Sequence, residues 1–297
     1  MLGGRIMQPL GGSLPVDLAF GDFLTLITHP DYIAEVIRVF EEYLLTHTHL
    51  FDSLCLEEVP PESPLMEILV PRLQEEGPWV CTLRNGSVCP RIRFTGSWQE
   101  FLQENFNSKG RYEIRRFLRR STEKDMFEIL TAKTQEEVWR GFQKLVEMHQ
   151  QRWNNLEQTG IFVDERIHSF FQEISRRFYE KGWLLLKYAR AKNITVAVEM
   201  LFRYKDTVYT VQKGFDDESH FSRYASGNVL LYYGMMDIVE SGYKTYEFLR
   251  GQEDYKFKTA TEVTQNREVL IRHKDKAGKF HTSLDKWIHR NSRIRRK

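Results

Sequence analysis

The sequence has few cysteines and no long hydrophobic run, and these absences exclude several classes of protein. The 297 residues contain three cysteines, Cys55, Cys81 and Cys89, too few and too irregularly spaced for a disulfide framework or a zinc site. The most apolar stretch, residues 228–239, contains Asp237 and is shorter than the roughly 20 apolar residues of a membrane span. The first residues lack the apolar core of a signal peptide. We therefore expect a globular, cytoplasmic protein without a metal.

The net charge of +2 hides an uneven distribution of charge. Residues 109–124 contain seven Lys or Arg against two acids, and residues 286–297 contain six against none. Such basic segments suit a polyanionic partner, such as RNA, an anionic lipid or a phosphorylated cofactor. A basic face that is simply solvated is the competing interpretation. Contact with lipid would bring the protein to the inner face of the membrane.

Hydrophobic periodicity in the second half predicts alternating helices and strands. In order, these are a strand at 127–131, helices at 136–153 and 164–181, strands at 183–190, 194–203 and 207–215, a helix at 228–241, a strand at 245–249, a helical turn, and a strand at 262–273. The short turns between the three middle strands predict antiparallel pairing. In topology this element order resembles that of a GNAT acyltransferase domain, and we expect such a domain at residues 126–275.

The first half repeats only the later part of that order. It predicts a hairpin of residues 5–10 and 14–20, helices at 31–46 and 65–76, and strands at 50–56, 79–83 and 88–94. We interpret residues 1–96 as an incomplete N-terminal GNAT-like half. A basic helical segment at 97–125 connects the halves, and residues 276–297 form a basic tail. The predicted fold class is α/β with a mixed sheet in two tandem GNAT-like halves.

The helix near Asn228 begins after a turn that is suited to an anion. Ser226 and Gly227 can direct the first N–H groups of the helix outward, where the helix dipole favours a group such as a pyrophosphate. In the alternative interpretation, Ser226 or Asn228 only caps the helix.

The segment YEFLRGQEDYK, residues 246–256, places many charged side chains after a short strand. These residues are Glu247, Arg250, Glu253, Asp254, Tyr255 and Lys256. Ligands of open α/β sheets bind at the carboxyl ends of strands, which makes a binding site plausible here. An ion-pair network that holds a turn would use the same residues.

Three segments together resemble signatures of one family. KGRYEIRRFLRR, RYASGNVLL and YEFLRGQEDYK are similar to motifs of the CelD/BcsL-like acetyltransferases, GNAT-superfamily proteins related to the FemAB-type aminoacyltransferases. The third motif is the most specific, since four of its residues fall in register: Arg250, Gly251, Tyr255 and Lys256. The sequence departs from the family at Ser226, where proline is usual, and at Glu247, where aspartate is usual.

The resemblance covers residues 54–273 and implies an N-acyltransferase. The donor would be acetyl-CoA or another acyl-CoA, and the acceptor an amine of a sugar, amino acid or cell-envelope precursor, as in polysaccharide biosynthesis. Glu247 would be the base and Tyr224 or Tyr255 the acid. A backbone N–H in residues 211–214 would bind the thioester oxygen. The implied cofactor contacts are Lys213, Gly214, Ser226, Gly227 and Asn228, and the implied contacts to an anionic substrate group are Arg116, Arg250 and Lys256.

Two other functions stay open at this point. A FemAB-like transferase would take its donor from aminoacyl-tRNA and hold the RNA with residues 109–124 and the basic tail. A non-catalytic module of polysaccharide synthesis would use the same surfaces for lipid or glycan partners. The acyltransferase hypothesis requires the loops around residues 226 and 250 to converge on one donor.

Overall fold

The computed structural model describes residues 5–10, 21–75, 77–122, 127–216 and 226–277. The strands of this part of the chain are β1 Ile6–Met7, β2 Ser53–Val59, β3 Trp79–Arg93, β4 Glu128–Thr131, β5 Leu184–Ala191, β6 Ile194–Tyr204, β7 Thr207–Phe215, β8 Thr245–Glu247 and β9 Glu262–His273. The α-helices are α1 Ile33–Thr46, α2 Val70–Glu75, α3 Trp98–Asn105, α4 Ser108–Thr122, α5 Gln135–Asn155, α6 Glu165–Glu180, α7 Ser226–Glu240, α8 Asp254–Phe257 and α9 Lys274–Ala277. None of these helices is long and apolar enough to span a bilayer.

The chain forms two compact units. The terminal unit consists of Met1–Cys89 and Thr264–Lys297, and the central unit consists of Pro90–Val263. In the terminal unit, β2 pairs in parallel with β1 and antiparallel with β9. Its core packs Ile37 and Leu44 of α1 against apolar side chains of these strands and of the short helical turns at 65–75.

The central unit is an open sheet with helices on both faces. Its strand order is β3-β8-β7-β6-β5-β4, with only the end of β3 in this unit. β5, β6 and β7 pair antiparallel, whereas β8 pairs in parallel with β7 after the crossover through α7. We call the two sides of this sheet the α7 face and the α5 face, after the helix that packs on each.

Local sequence signals explain where the central-unit helices begin. Thr134 and Glu137 form a reciprocal capping box at the start of α5. The Asp164 side chain accepts a hydrogen bond from the backbone N–H of Arg166 at the start of α6. The tight turn between β5 and β6 has Lys192 and Asn193 at positive φ, as expected for a two-residue hairpin loop. Most boundaries predicted for residues 127–273 agree with the structure within two residues.

One prediction in the first half is wrong, and another lies partly outside the described residues. β1, within residues 5–10, pairs in parallel with β2; residues 14–20 lie outside the described part of the chain, so the predicted hairpin stays a prediction. The strands predicted at 79–83 and 88–94 form one strand, β3. A Cβ on Gly86 would lie 3.1 Å from the Asn266 backbone oxygen, so this glycine permits a close approach of two strands and does not make a turn.

Two helix and strand boundaries also differ from the prediction. The basic segment at 97–125 contains two helices, because Phe106 has extended backbone and the Asn107 side chain accepts a hydrogen bond from Gly110 N at the start of α4. β8 ends at Glu247 and not at residue 249, since Leu249 has a φ of 58°. The assignment of residues 1–96, 97–125, 126–275 and 276–297 to GNAT-like halves, connector and tail stays a prediction.

Replacing Gly214 by alanine is expected to destabilise the central unit. A Cβ at residue 214 would lie 2.9 Å from the Leu145 carbonyl oxygen and 3.0 Å from the Met148 Cβ. Overpacking of this kind costs about 1–3 kcal/mol. Thermal unfolding would show the loss as a lower midpoint. Gly227→Ala is the control, because the nearest atoms to its Cβ, among the described residues, would be those of the Phe215 ring at an ordinary contact distance of 3.5 Å. Equal midpoints for both variants would contradict the close packing of α5 on β7.

Candidate active site

The parallel strands β7 and β8 separate part of the way along the sheet. Their pairing runs from Thr207–Thr245 to Tyr209–Glu247 and stops there. β7 continues to Phe215 and stays paired with β6 on its other side. Between residues 210–215 and the segment that follows β8, the sheet therefore has an opening, which we call the β7–β8 notch.

Backbone donors of β7 face this notch. Asp216 N donates to Val196 O, so these two residues form a hydrogen-bonded pair of the antiparallel ladder. Hydrogen-bonded and non-hydrogen-bonded pairs alternate along an antiparallel ladder, so Phe215 and Lys213 belong to non-hydrogen-bonded pairs. The backbone N–H groups of these two residues therefore point away from β6. Both groups therefore point to the side on which β8 has ended, where they can bind a carbonyl oxygen.

The chain leaves β8 through a turn with unusual backbone angles. Leu249 has a φ of 58° and Gly251 a φ of 143°. The Lys256 ammonium donates to the Arg250 carbonyl oxygen at 2.7 Å and lies 3.1 Å from a Glu253 carboxylate oxygen. A Cβ on Gly251 would lie 2.5 Å from that ammonium nitrogen. Glycine suits this position because other residues rarely adopt its positive φ, and the buried Lys256 lies beside it.

A cluster of polar side chains lies on the α7 face beside the notch. The Glu199 carboxylate accepts hydrogen bonds from the Lys213 ammonium and the Tyr246 hydroxyl, each at 2.8 Å and both on Oε1. The Lys213 ammonium also lies 5.0 Å from the centre of the Tyr255 ring. We call Glu199, Lys213, Tyr246 and Tyr255 the Glu199 cluster.

Burial and charge act on the pKa values of this cluster. Burial alone would lower the pKa of Lys213, but the neighbouring Glu199 carboxylate raises it above the usual lysine value. The pKa of Tyr255 is raised by burial, and the Lys213 ammonium opposes that rise. The pKa of Tyr246 is raised by burial and by Glu199. At neutral pH the cluster therefore contains a lysine cation and two neutral tyrosines.

Glu247 lies at the vertex of the notch, on the opposite face from this cluster. It follows Tyr246 in β8, and successive strand residues point to opposite faces. Its side chain is buried, and its Oε1 accepts a hydrogen bond from Leu249 N at 3.2 Å. The structure thus does not group Glu247 with Tyr255, although both border the separation of the strands.

The end of α5 brings a cation close to the notch. The Arg152 guanidinium carbon lies 4.3 Å from the centre of the Phe215 ring, an arrangement that holds the side chain over the end of β7. Gly227, in the first turn of α7, lies against the same ring. The start of α7 is therefore close to the end of β7.

The other predicted site residues have different environments. Gly214 is buried against α5, and this close packing explains why the residue is a glycine. Arg116 is exposed on α4, and within the described residues no contact joins it to the Glu199 cluster. Lys256 is buried in the turn and donates to the Arg250 carbonyl oxygen, and its contact with substrate stays a prediction. Tyr224 lies outside the described residues, and so does most of the loop before α7, so its convergence with the loop at 250 stays a prediction.

Sequence reasoning missed Glu199 and Tyr246. Glu199 stands in the apolar run TVAVEMLF, and Tyr246 stands in the three-residue strand β8; periodicity predicts both only as strand residues. An acidic residue at a buried strand position is itself a signal, because carboxylates are rarely buried without a partner.

The open sheet, the separating parallel strands and the helix that starts after the first of them define the class of GNAT-type acyltransferases. A family model described as "Acetyltransferase (GNAT) domain" matches residues 108–257, half of the sequence. The chain belongs to this family and is an acyltransferase. No curated protein matches it. The more specific assignment to the CelD/BcsL-like group stays a prediction.

Solved structures show the same fold at low sequence identity. FemX matches with a TM-score of 0.58 and 11% identity, covering 80% of this chain and 76% of its own. L-PGS from Bacillus licheniformis matches with a TM-score of 0.57 and 11% identity, and the match covers 90% of this chain and 79% of L-PGS. The C-terminal domain of a putative lysylphosphatidylglycerol synthetase from Agrobacterium fabrum matches with a TM-score of 0.54 and 12% identity. This match covers 79% of this chain and 72% of that domain. The fold is thus similar to that of FemX.

Lys256→Met is expected to lower stability through the turn after β8. The variant removes the ammonium that donates to the Arg250 carbonyl oxygen and pairs with Glu253. We expect the free energy of unfolding to fall by about 1–3 kcal/mol. Chemical denaturation would show a lower unfolding midpoint. Lys258→Met, an exposed neighbour, should change stability by less than about 0.5 kcal/mol. A Lys256→Met protein with unchanged stability and weakened substrate binding would instead support the prediction that Lys256 binds substrate.

Proposed function

We propose that the protein transfers an acyl group, with acetyl as the first candidate, from acyl-CoA to an amine. The observation that carries this proposal is the β7–β8 notch, into which the N–H groups of Lys213 and Phe215 point. Negative charge develops on the thioester oxygen during attack by the amine. Fixed backbone donors stabilise such a charge, and the loss of one such donor typically costs about 10²–10³ in rate.

The start of α7 supports a phosphorylated donor. Its first turn contains Gly227 and the exposed Asn228 and has no acidic residue. Free N–H groups and the helix dipole favour an anion at such a position. We infer that the pyrophosphate of CoA binds there, while the thioester lies in the notch beyond the end of β7.

The transfer forms one C–N bond and breaks one C–S bond. The amine nitrogen attacks the thioester carbonyl carbon and loses a proton to Glu247 on the α5 face. The thiolate leaves towards the α7 face and takes a proton from Tyr255. A thioester between the separated strands would thus have its base and its acid on opposite faces of the sheet. The Tyr255 phenolate and the Glu247 carboxylic acid then exchange protons with water.

The acceptor class follows from the predicted family and from the charges near the notch. We infer an amine of a sugar, amino acid or cell-envelope precursor. Arg250 follows the strand end, and Arg152 lies on Phe215 at the end of β7. An arginine binds carboxylate or phosphate with two parallel hydrogen bonds, so either residue suits an acceptor that carries an anionic group.

Acyl transfer is tested directly by turnover. The full chain is incubated with acetyl-CoA and longer acyl-CoAs, with glucosamine, amino acids or amino-sugar nucleotides as acceptors. Free thiol and the mass of the acylated amine are measured. We expect stoichiometric thiol and amide, and a loss of about 10²–10⁴-fold in kcat for Glu247→Gln. Turnover with aminoacyl-tRNA but with no acyl-CoA would overturn the proposed donor.

Asn228→Asp tests the proposed pyrophosphate position. A new carboxylate at the start of α7 stabilises the helix by about 0.3–1 kcal/mol but repels a bound diphosphate. We expect an unchanged or higher thermal midpoint and a KM for acyl-CoA raised about tenfold, or ~1.4 kcal/mol of binding. Asn228→Gln, which adds no charge, should change neither quantity. An unchanged KM for Asn228→Asp would exclude the phosphates from this helix end.

A further inference from the structure

The Glu199–Lys213 ion pair has a position that packing alone does not explain. The two residues are directly opposite each other on β6 and β7, in a non-hydrogen-bonded pair, where side chains approach most closely. Burying such a pair is costly, and apolar residues of similar size often stabilise a sheet equally well. Lys213 also contributes one of the backbone donors of the notch. The pair therefore stands at the reaction centre that we propose.

The hydrogen bonds of Glu199 are concentrated on one oxygen atom. Oε1 accepts from both Lys213 and Tyr246, whereas Oε2 is buried and, among the described residues, has no hydrogen-bond partner. Oε2 lies 3.4 Å from the position that a Cβ of Gly234 would occupy, so α7 lies close against the carboxylate. This arrangement fixes the carboxylate from three sides and directs its bonded oxygen towards Lys213.

Lys213 connects this fixed carboxylate to Tyr255. Its side chain is 20% exposed, whereas that of Glu199 is 2% exposed. The ammonium lies over the Tyr255 ring at 5.0 Å from its centre. A cation in this place stabilises the phenolate that forms when Tyr255 gives its proton away, because opposite charges close together in a poorly hydrated site attract strongly.

We propose that Glu199 is a positioning residue that, through Lys213, makes Tyr255 an effective proton donor to the departing thiolate. In this step the O–H bond of Tyr255 breaks and an S–H bond forms on CoA. The phenolate is held by the Lys213 cation until water returns the proton. Tyr246 anchors Glu199 and takes no part in proton transfer. This inference rests on the proposed acyl transfer and identifies the residues that support its general acid, Tyr255.

The charges around Lys213 come from several elements. Glu199 faces it from β6, Tyr246 lies on β8, Glu253 and Tyr255 belong to the segment around α8, and Arg152 acts on Tyr255 from α5. On β5, the buried Lys187 lies directly opposite Glu199 and pairs with Asp237. Glu253 is already paired with Lys256, so Glu199 is the carboxylate bonded to Lys213. Removal of the Glu199 charge should therefore lower the pKa of Lys213.

The test uses Glu199→Gln, which keeps the shape of the side chain but removes its charge. We expect kcat to fall about 10²-fold, as for a misplaced catalytic group, with KM for acyl-CoA within about twofold. Because the pKa of Lys213 is raised, its ammonium stays charged at alkaline pH. The kcat of the wild-type protein should therefore stay constant as the pH rises through the alkaline range. In Glu199→Gln the alkaline decline of kcat should move to lower pH. Tyr246→Phe should give a smaller loss of kcat in the same direction.

Glu173→Gln is the matched control. Glu173 pairs with Arg176 and Arg177 within α6, and no described contact joins these residues to Tyr255. This variant also removes one paired carboxylate, and it should leave the pH profile of kcat unmoved. A Glu199→Gln protein with a lower midpoint and an unmoved pH profile would overturn the inference and leave Glu199 a structural residue.

A second measurement separates this inference from the proposed function. The titration of Lys213 is followed by side-chain NMR, with its signal assigned from Lys213→Arg. A lower pKa of Lys213 in Glu199→Gln would show that Glu199 maintains the lysine cation, whether or not acyl-CoA is the donor. An unchanged pKa would overturn the inference even in an active enzyme. Absence of wild-type acyl transfer would count against the proposed function alone.

Discussion

The buried ammonium of Lys256 is the interaction on which the active-site geometry depends. It is bonded to the Arg250 carbonyl oxygen and paired with Glu253, and it occupies the space left by the missing side chain of Gly251. The turn that it fixes directs the chain away from β7 immediately after Glu247. The pairing of β7 with β6 also shifts register by one residue just beyond the last β7–β8 pair. The notch thus lies between an irregular part of β7 and a turn that contains a buried ion pair.

The separation of the strands also determines which side chains can act together. Because neighbouring residues of a strand point to opposite faces, Glu247 and Tyr246 are divided between the two sides of the sheet. The α7 face contains a lysine cation, a fixed carboxylate and Tyr255, and the α5 face contains Glu247 and the close packing of α5 on Gly214. An acyl donor between the strands would therefore meet different chemistry on each side.

Much of the central unit could be predicted because its signals are local. Helical periodicity and caps located α5 and α6, and tight turns located β5, β6 and β7. The terminal unit was predicted less well, since β1 pairs with a distant strand and Gly86 serves a close contact with Asn266. Pairing partners and close approaches depend on residues far apart in the sequence, which local periodicity does not record.

For the site, local sequence was enough to identify the R-G-x-x-x-Y-K segment, the order of elements and the family, because spacing and periodicity follow the chain. The contacts within that segment depend on how the chain packs in three dimensions. The tertiary structure buried Lys256 as a turn-forming cation and separated Glu247 from Tyr255. It also joined Glu199, Lys213 and Tyr246, which come from three strands. Side chains from different strands meet only through the register of the sheet, and that register is fixed by the packing of the whole unit.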